Sequence, residues 1–402
     1  MSHQLQGQGW LTASATRAVT AALSAAGGPD CARFVGGCVR NALIGAPIDD
    51  IDIATTLTPD SVVAALKAAG LRSVPTGIEH GTVTAISERQ PFEITTLRRD
   101  VSTDGRRATV AFTTDWAEDA GRRDFRLNAL YADADGVVRD PTGRGFDDAM
   151  AGRIVFVGEP EGRIREDYLR ILRFYRFYAW YGRGAPDAGA VAACAALAEG
   201  VEQLSAERVS KELLKLLAAP DPRPALRLMD EAGVLARVVP ALVDLALFEA
   251  MTDLSGDPVL RLSALLPVDP VRVADVARGL RLSNAQRDRL VEAVSGEATT
   301  ALTAAQARAA LYRDGRQAFE DRVMRSWAAG GDADGARRLL ALARDWTRPS
   351  LPVGGRDLAR LGLTPGPETG RLLKAFENGW IADDFPDHGH EERLRGLAAP
   401  PG

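Results

Sequence analysis

The stretch at residues 34–54 reads FVGGCVRNALIGAPIDDIDIA and decides how the rest of the chain is interpreted. A short apolar run meets two glycines, Gly36 and Gly37, before a stretch that is compatible with a helix; residues 45–47 then break that helix. Glycines let a backbone turn approach a ligand closely, and the helix N-terminus after them favours an anion. The first half of the stretch therefore predicts a phosphate contact.

An acidic strand is predicted to follow. Asp50 and Asp52 lie two residues apart, so in a strand their side chains point to the same face. Two adjacent carboxylates repel each other, and Mg²⁺ is a hard cation that prefers such oxygen ligands and shares its site with phosphates. Together with the glycine turn, this pair suggests chemistry on a nucleoside triphosphate. The alternative is a surface turn followed by an acidic edge strand.

The composition is that of an ordinary globular protein of more than one domain. The chain has 402 residues, of which 46% are hydrophobic and 26% charged, and it should form two to four modules. No apolar run reaches the 18 or so residues that span a bilayer. Three cysteines without a CxxC pair predict reduced thiols in a cytoplasmic protein. The net charge of −5 argues against a globally basic nucleic-acid binder.

Two further strands are predicted after the acidic strand. Residues 77–86 and 92–96 alternate polar and apolar side chains, and the second of them carries a third carboxylate, Glu93. Glu93 is either a partner of the acidic strand or an exposed strand glutamate. The arginine-rich residues 97–124 predict a flexible loop with one short strand at residues 108–113.

The next motif is RRDFRLNAL, at residues 122–130, which predicts a helix. Asp124 and Asn128 would then share one face, with Arg122 and Arg123 beside them. Such a cluster suits a ribose hydroxyl and a triphosphate, and it is equally compatible with a salt-bridged surface helix.

A polar ridge is predicted on a helix that includes residues 166–176. Arg170, Arg173 and Arg176 recur every three residues, and Asp167 lies three residues before the first of them. A solvated basic face is the alternative interpretation. From residue 187 onward only helices are predicted, so the chain combines an α/β head with a long helical arm.

Several motifs in order make the pattern specific. GGCVRNALIG, DDIDIATTLTP, FEITTLRRDVSTDGR, RRDFRLNAL, DPTGRGFDD and EDYLRILRFYRF resemble those of class II tRNA nucleotidyltransferases, the CCA-adding enzymes of the DNA polymerase β-like superfamily. The match covers residues 33–217, with a weaker echo at residues 351–373. The resemblance implies an α+β fold with a small mixed-sheet head at residues 1–157. A helical neck and the start of an RNA-binding body would follow at residues 158–240, and a helical, tRNA-binding body and tail at residues 241–402.

The resemblance also implies roles for individual residues. Asp50 and Asp52 would hold two Mg²⁺ ions, and Glu93 would help to activate the primer 3′-hydroxyl. The remaining roles comprise triphosphate contact by Gly36, Gly37 and Arg40, ribose binding by Arg123 and Asp124 with Asn128 in support, and head–neck coupling by Asp140 and Gly143.

Base selection would fall to Asp167 and Arg170. Cytosine and adenine both offer an amino donor beside a ring acceptor, so a carboxylate next to a guanidinium complements both edges. Uracil and guanine present a carbonyl and an N–H at the same places, and both contacts are then mismatched. Arg173 and Arg176 would reach the nucleotide or its phosphates. No nucleic-acid template is needed.

The resulting hypothesis is an enzyme that adds C, C and A from CTP and ATP to tRNA 3′ ends. Its helical arm would hold the acceptor–TΨC half of tRNA, and no protein partner or membrane is implied. The alternatives are a poly(A) polymerase, a partial enzyme that adds only C or only A, and a catalytically inert RNA-binding protein. Three positions, Asn41, Arg126 and Leu127, depart from the family pattern.

Overall fold

The structure is a computed structural model that describes residues 3–78, 81–104, 107–243, 245–296 and 299–398. It divides into two compact units, Met1–Pro240 and Ala241–Gly402. The first unit contains all the strands described below, and the second is helical. The α+β class is confirmed, whereas the boundary expected at residue 157 stays a prediction.

A mixed seven-stranded sheet forms the centre of the first unit. Its strand order is β3-β4-β5-β2-β1-β8-β9, and β6 pairs separately with β7. The pair β2–β5 is parallel and the other pairs are antiparallel. The strands are β1 Ala32–Val35, β2 Asp52–Thr55, β3 Arg72–Gly77, β4 Thr82–Ser87, β5 Gln90–Thr96, β6 Arg98–Asp104, β7 Arg107–Phe112, β8 Tyr131–Ala132 and β9 Val138–Arg139.

Helices surround the sheet and continue beyond it. The helix predicted after residue 58 begins at Pro59, and Thr58 caps it by accepting from the Ser61 amide. The helices of the first unit are α1 Gly9–Thr12, α2 Ser14–Gly27, α3 Gly37–Ile44, α4 Pro59–Ala68, α5 Trp116–Gly121, α6 Gly145–Ala151, α7 Pro160–Glu166, α8 Leu169–Tyr181, α9 Ala188–Ala196, α10 Ala206–Leu217, α11 Arg223–Glu231 and α12 Leu235–Val238. Short 3₁₀ segments lie at Arg126–Asn128 and Ala198–Gln203.

The regular elements described in the second unit are all helices. They are α13 Ala246–Leu254, α14 Pro258–Ala264, α15 Pro270–Gly279, α16 Asn284–Val294, α17 Ala304–Asp314, α18 Arg316–Ala328, α19 Ala333–Asp345, α20 Gly355–Arg360, α21 Pro367–Ala382 and α22 His390–Ala398. Two hydrophobic clusters join α17 to α22, one around Phe319 and one around Trp380. No helix in the described part of the chain combines the length and apolar content that a membrane span requires.

The short strand predicted at residues 108–113 is confirmed as β7, but the flexible loop predicted around it is wrong. Strands β6 and β7 pair along most of it, and α5 follows. Leu97 joins this segment to the sheet, since its amide donates to the Thr55 carbonyl at 2.7 Å. Backbone hydrogen bonds hold β6 against β7. Such bonds involve every residue type, so they leave no periodic apolar signal in the sequence.

The predicted helix at residues 122–130 is also wrong. Only Arg126–Asn128 winds, as one 3₁₀ turn, and Phe125 is extended. Phe125 forms a β-bridge with Phe156, and both rings are fully buried with centroids 4.9 Å apart. This long-range pairing outweighs the local helix propensity.

The helix expected at residues 166–176 is broken at its start. Helix α7 ends at Glu166, Asp167 is extended (φ −157°, ψ 106°), and α8 begins at Leu169. The Asp167 carboxylate accepts from the Leu169 amide at 3.1 Å and so favours a new helix start. Arg170, Arg173 and Arg176 share α8 as predicted, but Asp167 does not.

Candidate active site

Two neighbouring strands bring the three predicted carboxylates to one region. Asp52 opens β2 and lies directly opposite Glu93 of the parallel strand β5, so of the two alternatives for Glu93 the structure has the one in which its strand pairs with the acidic strand. Asp50 precedes the strand, which corrects the prediction that both aspartates belong to it. The pairing of β1 with β2 ends at Phe34, which lies opposite Ile53, so Asp50 lies outside that pairing.

The environment of Asp52 disfavours its charge. Burial, followed by the charges of Glu93 and Asp50, raises the pKa of Asp52 to about 6, although Arg123 opposes the shift. Glu93 and Asp50 thus both lie close enough to repel the charge on Asp52. A divalent cation relieves such repulsion.

These residues fit Mg²⁺ as a pair of ligands. Asp50 and Asp52 line one cavity, and both offer the hard oxygens that Mg²⁺ prefers. Among the described residues, no group of three or more His, Cys, Asp or Glu side chains is arranged to hold a metal. The pair therefore suits a metal that takes its remaining ligands from water and substrate phosphates.

The glycine turn lies beside the carboxylates and positions Arg40. Gly36 has φ 72°, a left-handed conformation, and α3 begins at Gly37. Arg40, on the first turns of α3, is only 6% exposed. Its guanidinium donates to uncharged acceptors only, namely the Asn128 and Asn41 side-chain oxygens and the Tyr181 hydroxyl. Burial accordingly lowers the pKa of Arg40.

Arg123 is fixed by two buried groups. It donates to the Asp119 carboxylate at 2.9 Å and to the Tyr131 hydroxyl at 3.2 Å, and that hydroxyl donates to Asp119 at 2.7 Å. Burial opposes ionisation of Asp119, but Arg123 and Tyr131 outweigh it and hold the pKa of Asp119 below its usual range. The triad sets the direction of the Arg123 side chain.

Asp124 is the centre of a second polar cluster. Its carboxylate accepts from the Asn128 side chain at 3.1 Å and from Arg173 of α8 through Nε at 2.8 Å. Burial acts to raise the pKa of Asp124, but Arg173 and Asn128 outweigh it, so the pKa lies below the usual range. The carboxylate is therefore ionised and able to accept a hydroxyl.

Most of the predicted site residues line one cavity of about 580 Å³. Of the predicted residues, its lining contains Gly36, Gly37, Arg40, Asp50, Asp52, Arg123, Asp124, Asn128, Arg173 and Arg176. Asn41 also lies there, and its side chain bonds Arg40 and the Pro47 carbonyl. The glycine turn, the carboxylates and the arginines of α8 thus face a common space.

The two predicted base-reading residues lie outside that lining and are bonded to other groups. Arg208 of α10 donates to Asp167 at 2.6 Å, and Arg170 donates to Glu166 at 2.6 Å. Each retains capacity for a base, since a carboxylate has about four acceptor sites and a guanidinium five donors. Arg170 also donates to the Arg163 carbonyl, so the turn between α7 and α8 is held on both sides.

The loop predicted to couple head and neck is tightly bonded. The Asp140 carboxylate accepts from the amides of Thr142, Gly143 and Phe146, at 3.0 to 3.1 Å. Gly143 has φ 74°, which its missing side chain permits. The loop lines a second cavity with Arg126, another departure from the family pattern. The coupling role stays a prediction.

Sequence reasoning missed the face of α10 that lies against α8. Arg208 bonds Asp167, Glu212 bonds Arg176, and the Lys215 carbonyl accepts from the Trp180 indole at 2.7 Å. A signal was present, because Glu212 falls on the apolar stripe of an amphipathic helix and is only 6% exposed. Asp119 was also missed, although it lies four residues before Arg123.

The chain matches known protein families in two segments. Residues 32–155 match the family described as "Poly A polymerase head domain". Residues 187–245 match that described as "Probable RNA and SrmB- binding site of polymerase A".

Curated relatives are similar over nearly the whole chain. The mouse protein named CCA tRNA nucleotidyltransferase 1, mitochondrial, is 34% identical over 87% of this chain and 82% of its own length. A CCA-adding enzyme from Limosilactobacillus fermentum is 33% identical over 88% of this chain and 90% of its own length.

Solved structures share the fold. The Bacillus stearothermophilus CCA-adding enzyme in complex with CTP superposes with a TM-score of 0.78 at 26% identity, covering 96% of this chain and 98% of that one. The Thermotoga maritima CCA-adding enzyme complexed with tRNA_CCA has a TM-score of 0.68 at 16% identity, over 99% and 98% of the two chains, and supports the fold alone. On the strength of the curated relatives and this site, the chain belongs to the class II tRNA nucleotidyltransferase family of CCA-adding enzymes.

Proposed function

We propose that this protein adds C, C and A, from CTP and ATP, to the 3′ end of tRNA without a nucleic-acid template. One observation carries the proposal. A single cavity joins the Asp50–Asp52 pair, the glycine turn with Arg40, and the cluster of Arg123, Asp124 and Arg173, in a chain whose relatives are named for this activity. Location in the cytoplasm is part of the proposal; some relatives are named as mitochondrial.

The reaction is an in-line displacement. The 3′-hydroxyl oxygen of the RNA attacks the α-phosphorus of the nucleotide, the bond to the bridging oxygen breaks, and pyrophosphate leaves with the electron pair. Asp50 and Asp52 would hold two Mg²⁺ ions, whose chemistry is to favour ionisation of the hydroxyl and to neutralise the attacking and leaving oxygens. Glu93, beside Asp52 in the sheet, is proposed to orient that hydroxyl.

The remaining residues bind and orient the nucleotide. Gly36, Gly37 and Arg40 are proposed to hold the triphosphate, because Arg40 is a buried cation whose direct partners are all uncharged. Asp124 is proposed to accept the ribose 2′-hydroxyl, which favours ribonucleotides over deoxyribonucleotides. Asn128 and Arg173 keep that carboxylate ionised and in place.

Base choice is assigned to Asp167 and Arg170. In this structure they are bonded to Arg208 and Glu166 and do not line the cavity. Each has unused hydrogen-bonding capacity, so a cytosine or adenine edge is read in addition to these contacts. Arg208 and Glu166 then fix the directions of the two base-reading groups.

A poly(A) polymerase is the second candidate, because the matching head family is described by that name. The test supplies Mg²⁺ and one labelled nucleotide at a time to tRNA transcripts that end before CCA, after C or after CC. The proposal expects CTP to be used on the first two and ATP on the third. Long A tails on unrelated RNA would favour the poly(A) polymerase, and absence of incorporation would favour an inert RNA-binding protein.

A further inference from the structure

Five cations line the cavity, and four of them have partners in the protein. Arg123 bonds Asp119, Arg173 bonds Asp124, and Arg176 bonds Glu212. Arg40 bonds uncharged groups. The fifth is Lys215, on the last turns of α10, and its ammonium has no hydrogen-bond or ion-pair partner among the residues that the structure describes.

The backbone of Lys215 is held in place, although its ammonium has no partner among the described residues. The Trp180 indole N–H, at the end of α8, donates to the Lys215 carbonyl at 2.7 Å. Arg176 lies one turn before Trp180. Tyr181 is the residue after Trp180, and its hydroxyl accepts from the Arg40 guanidinium at 2.8 Å. The backbone that carries Lys215 is therefore tied to the same end of α8 that holds Arg40.

This end of the cavity carries excess positive charge. Within the described part of the chain, neither Arg40 nor Lys215 is in direct contact with an acidic side chain, whereas Arg176 is paired with Glu212. Partial burial, followed by the charge of Arg176, lowers the pKa of Lys215. Uncompensated cations that converge on one space favour a ligand with several negative charges.

We propose that Lys215 extends the triphosphate site and contacts the β- and γ-phosphates, so that it also holds the pyrophosphate leaving group. The inference rests on the proposed function for the nature of the ligand. It adds a contact from α10 to those expected from α3 and α8. A bound nucleotide would thereby draw the three helices together around its phosphates.

A simpler interpretation is that Lys215 only neutralises the C-terminal end of α10. A lysine in a last helical turn stabilises the helix modestly through its dipole. That role predicts a change in thermal stability but none in the affinity for a polyphosphate anion. Binding and stability therefore separate the two interpretations.

The test measures binding of inorganic tripolyphosphate to the full chain by isothermal titration calorimetry at low salt. The variants are Lys215→Met, Lys215→Arg and Lys211→Met; Lys211 is exposed on the same helix, as Lys215 is, but only Lys215 lines the cavity. Loss of one charge-assisted contact should weaken binding by about tenfold in Lys215→Met. Lys215→Arg should retain most of the affinity, and Lys211→Met should remain within about twofold of wild type.

Equal binding by wild type and Lys215→Met would overturn the inference, as would an equal loss in Lys211→Met. Wild-type protein that fails to bind tripolyphosphate would overturn it too. Should Lys215→Met fold poorly, Lys215→Gln provides a second neutral side chain. If wild type transfers no nucleotide but the binding pattern holds, the proposed function fails and the polyphosphate site stands.

Discussion

The guanidinium of Arg208 holds the carboxylate of Asp167 at 2.6 Å, and it does so from α10 rather than from the helix that carries Arg170. The carboxylate thus has a fixed direction, although it lies at a break between two helices. Since Asp167 keeps spare acceptor capacity, the pair is compatible with a base bound at the same carboxylate. Arg208 is in this account a positioning residue for nucleotide choice.

Arg208→Met should therefore blur nucleotide choice. A methionine keeps the aliphatic stem but releases the Asp167 carboxylate, so the preference for CTP over UTP should fall by roughly three- to tenfold. The measurement is kcat/KM for each nucleotide on a transcript that lacks CCA. Arg165→Met is the control, because Arg165 pairs with Glu161 on the surface of α7. An unchanged CTP/UTP ratio in Arg208→Met would remove Arg208 from base selection.

Asp124→Ala should narrow the preference for ribonucleotides. If the carboxylate accepts the 2′-hydroxyl, its removal should reduce the kcat/KM ratio of CTP over dCTP by at least about tenfold. Arg173→Met is the comparison, since it removes one of the groups that hold the Asp124 carboxylate but keeps the acceptor itself, so it should lose less sugar preference than Asp124→Ala. Equal losses of sugar preference in both variants would show that the effect is structural, and the ribose role would be withdrawn.

Asp52→Asn should stabilise the protein while it abolishes transfer. The folded-state pKa of Asp52 is about 6, above the value of about 3.9 for an unfolded aspartate. The protonated Asp52 side chain is favoured in the folded state, so the stability that it contributes is fully present below pH 4. That stability is lost as the pH rises through 6 and the buried side chain ionises. Without Mg²⁺, Asp52→Asn should have a higher Tm than wild type at pH 8, and the difference should vanish near pH 4.

Magnesium provides a second readout for the same variant. Mg²⁺ at pH 8 should raise the Tm of wild type, because a ligand that binds only the folded state stabilises it, and it should raise that of Asp52→Asn much less. Asp49→Asn is the control for the loss of one nearby charge, since Asp49 is exposed beside the strand. A Tm of Asp52→Asn at or below wild type at pH 8 would contradict the repulsion of the Asp52 charge by Glu93 and Asp50.

Gly200→Ala should displace the turn that carries Asp167. A Cβ at Gly200 would lie 1.9 Å from Cδ1 of Tyr168, so the ring beside Asp167 would have to move. Such overpacking costs about 1–3 kcal/mol of stability, and the shifted turn should alter CTP/UTP discrimination as well.

The control for this prediction is Gly189→Ala, whose Cβ meets only Asp187 at 3.4 Å. A double variant that combines Gly200→Ala with Tyr168→Ala should recover stability relative to the single one, because the smaller side chain leaves room. If the double variant is no more stable, the Tyr168 ring is not the obstacle.

The family, the mixed sheet and the helical second unit were all predictable from the sequence. The Gly36–Gly37 turn and the strand that carries Glu93 depend on local sequence pattern, whereas the register of Asp52 with Glu93 is known only from the structure. The structure differs where distant contacts prevail. Phe125 pairs with Phe156 and prevents a helix that its neighbours favour, and the carboxylate at the Asp167 break bonds Arg208, 41 residues away along the chain.

Supporting residues were the hardest to find. Asp119 and Tyr131 orient Arg123, but neither belongs to a motif, and their proximity follows only from the folded sheet. The residues on the α10 face were equally hard to find. Lys215 can be recognised as a site residue only when the structure shows that it lines the same cavity as Trp180 and Arg40. Periodicity places such residues on a face of an element, whereas packing decides what that face meets.

The central claim is that one site selects and transfers the nucleotides without a template. The most direct test incubates a tRNA transcript that lacks CCA with Mg²⁺ and equal concentrations of all four ribonucleotides, and then sequences the 3′ ends. The account predicts ends of CCA in wild type and unextended transcripts in Asp52→Asn. Mixed nucleotides, long A tails, or the same products from Asp52→Asn would contradict it.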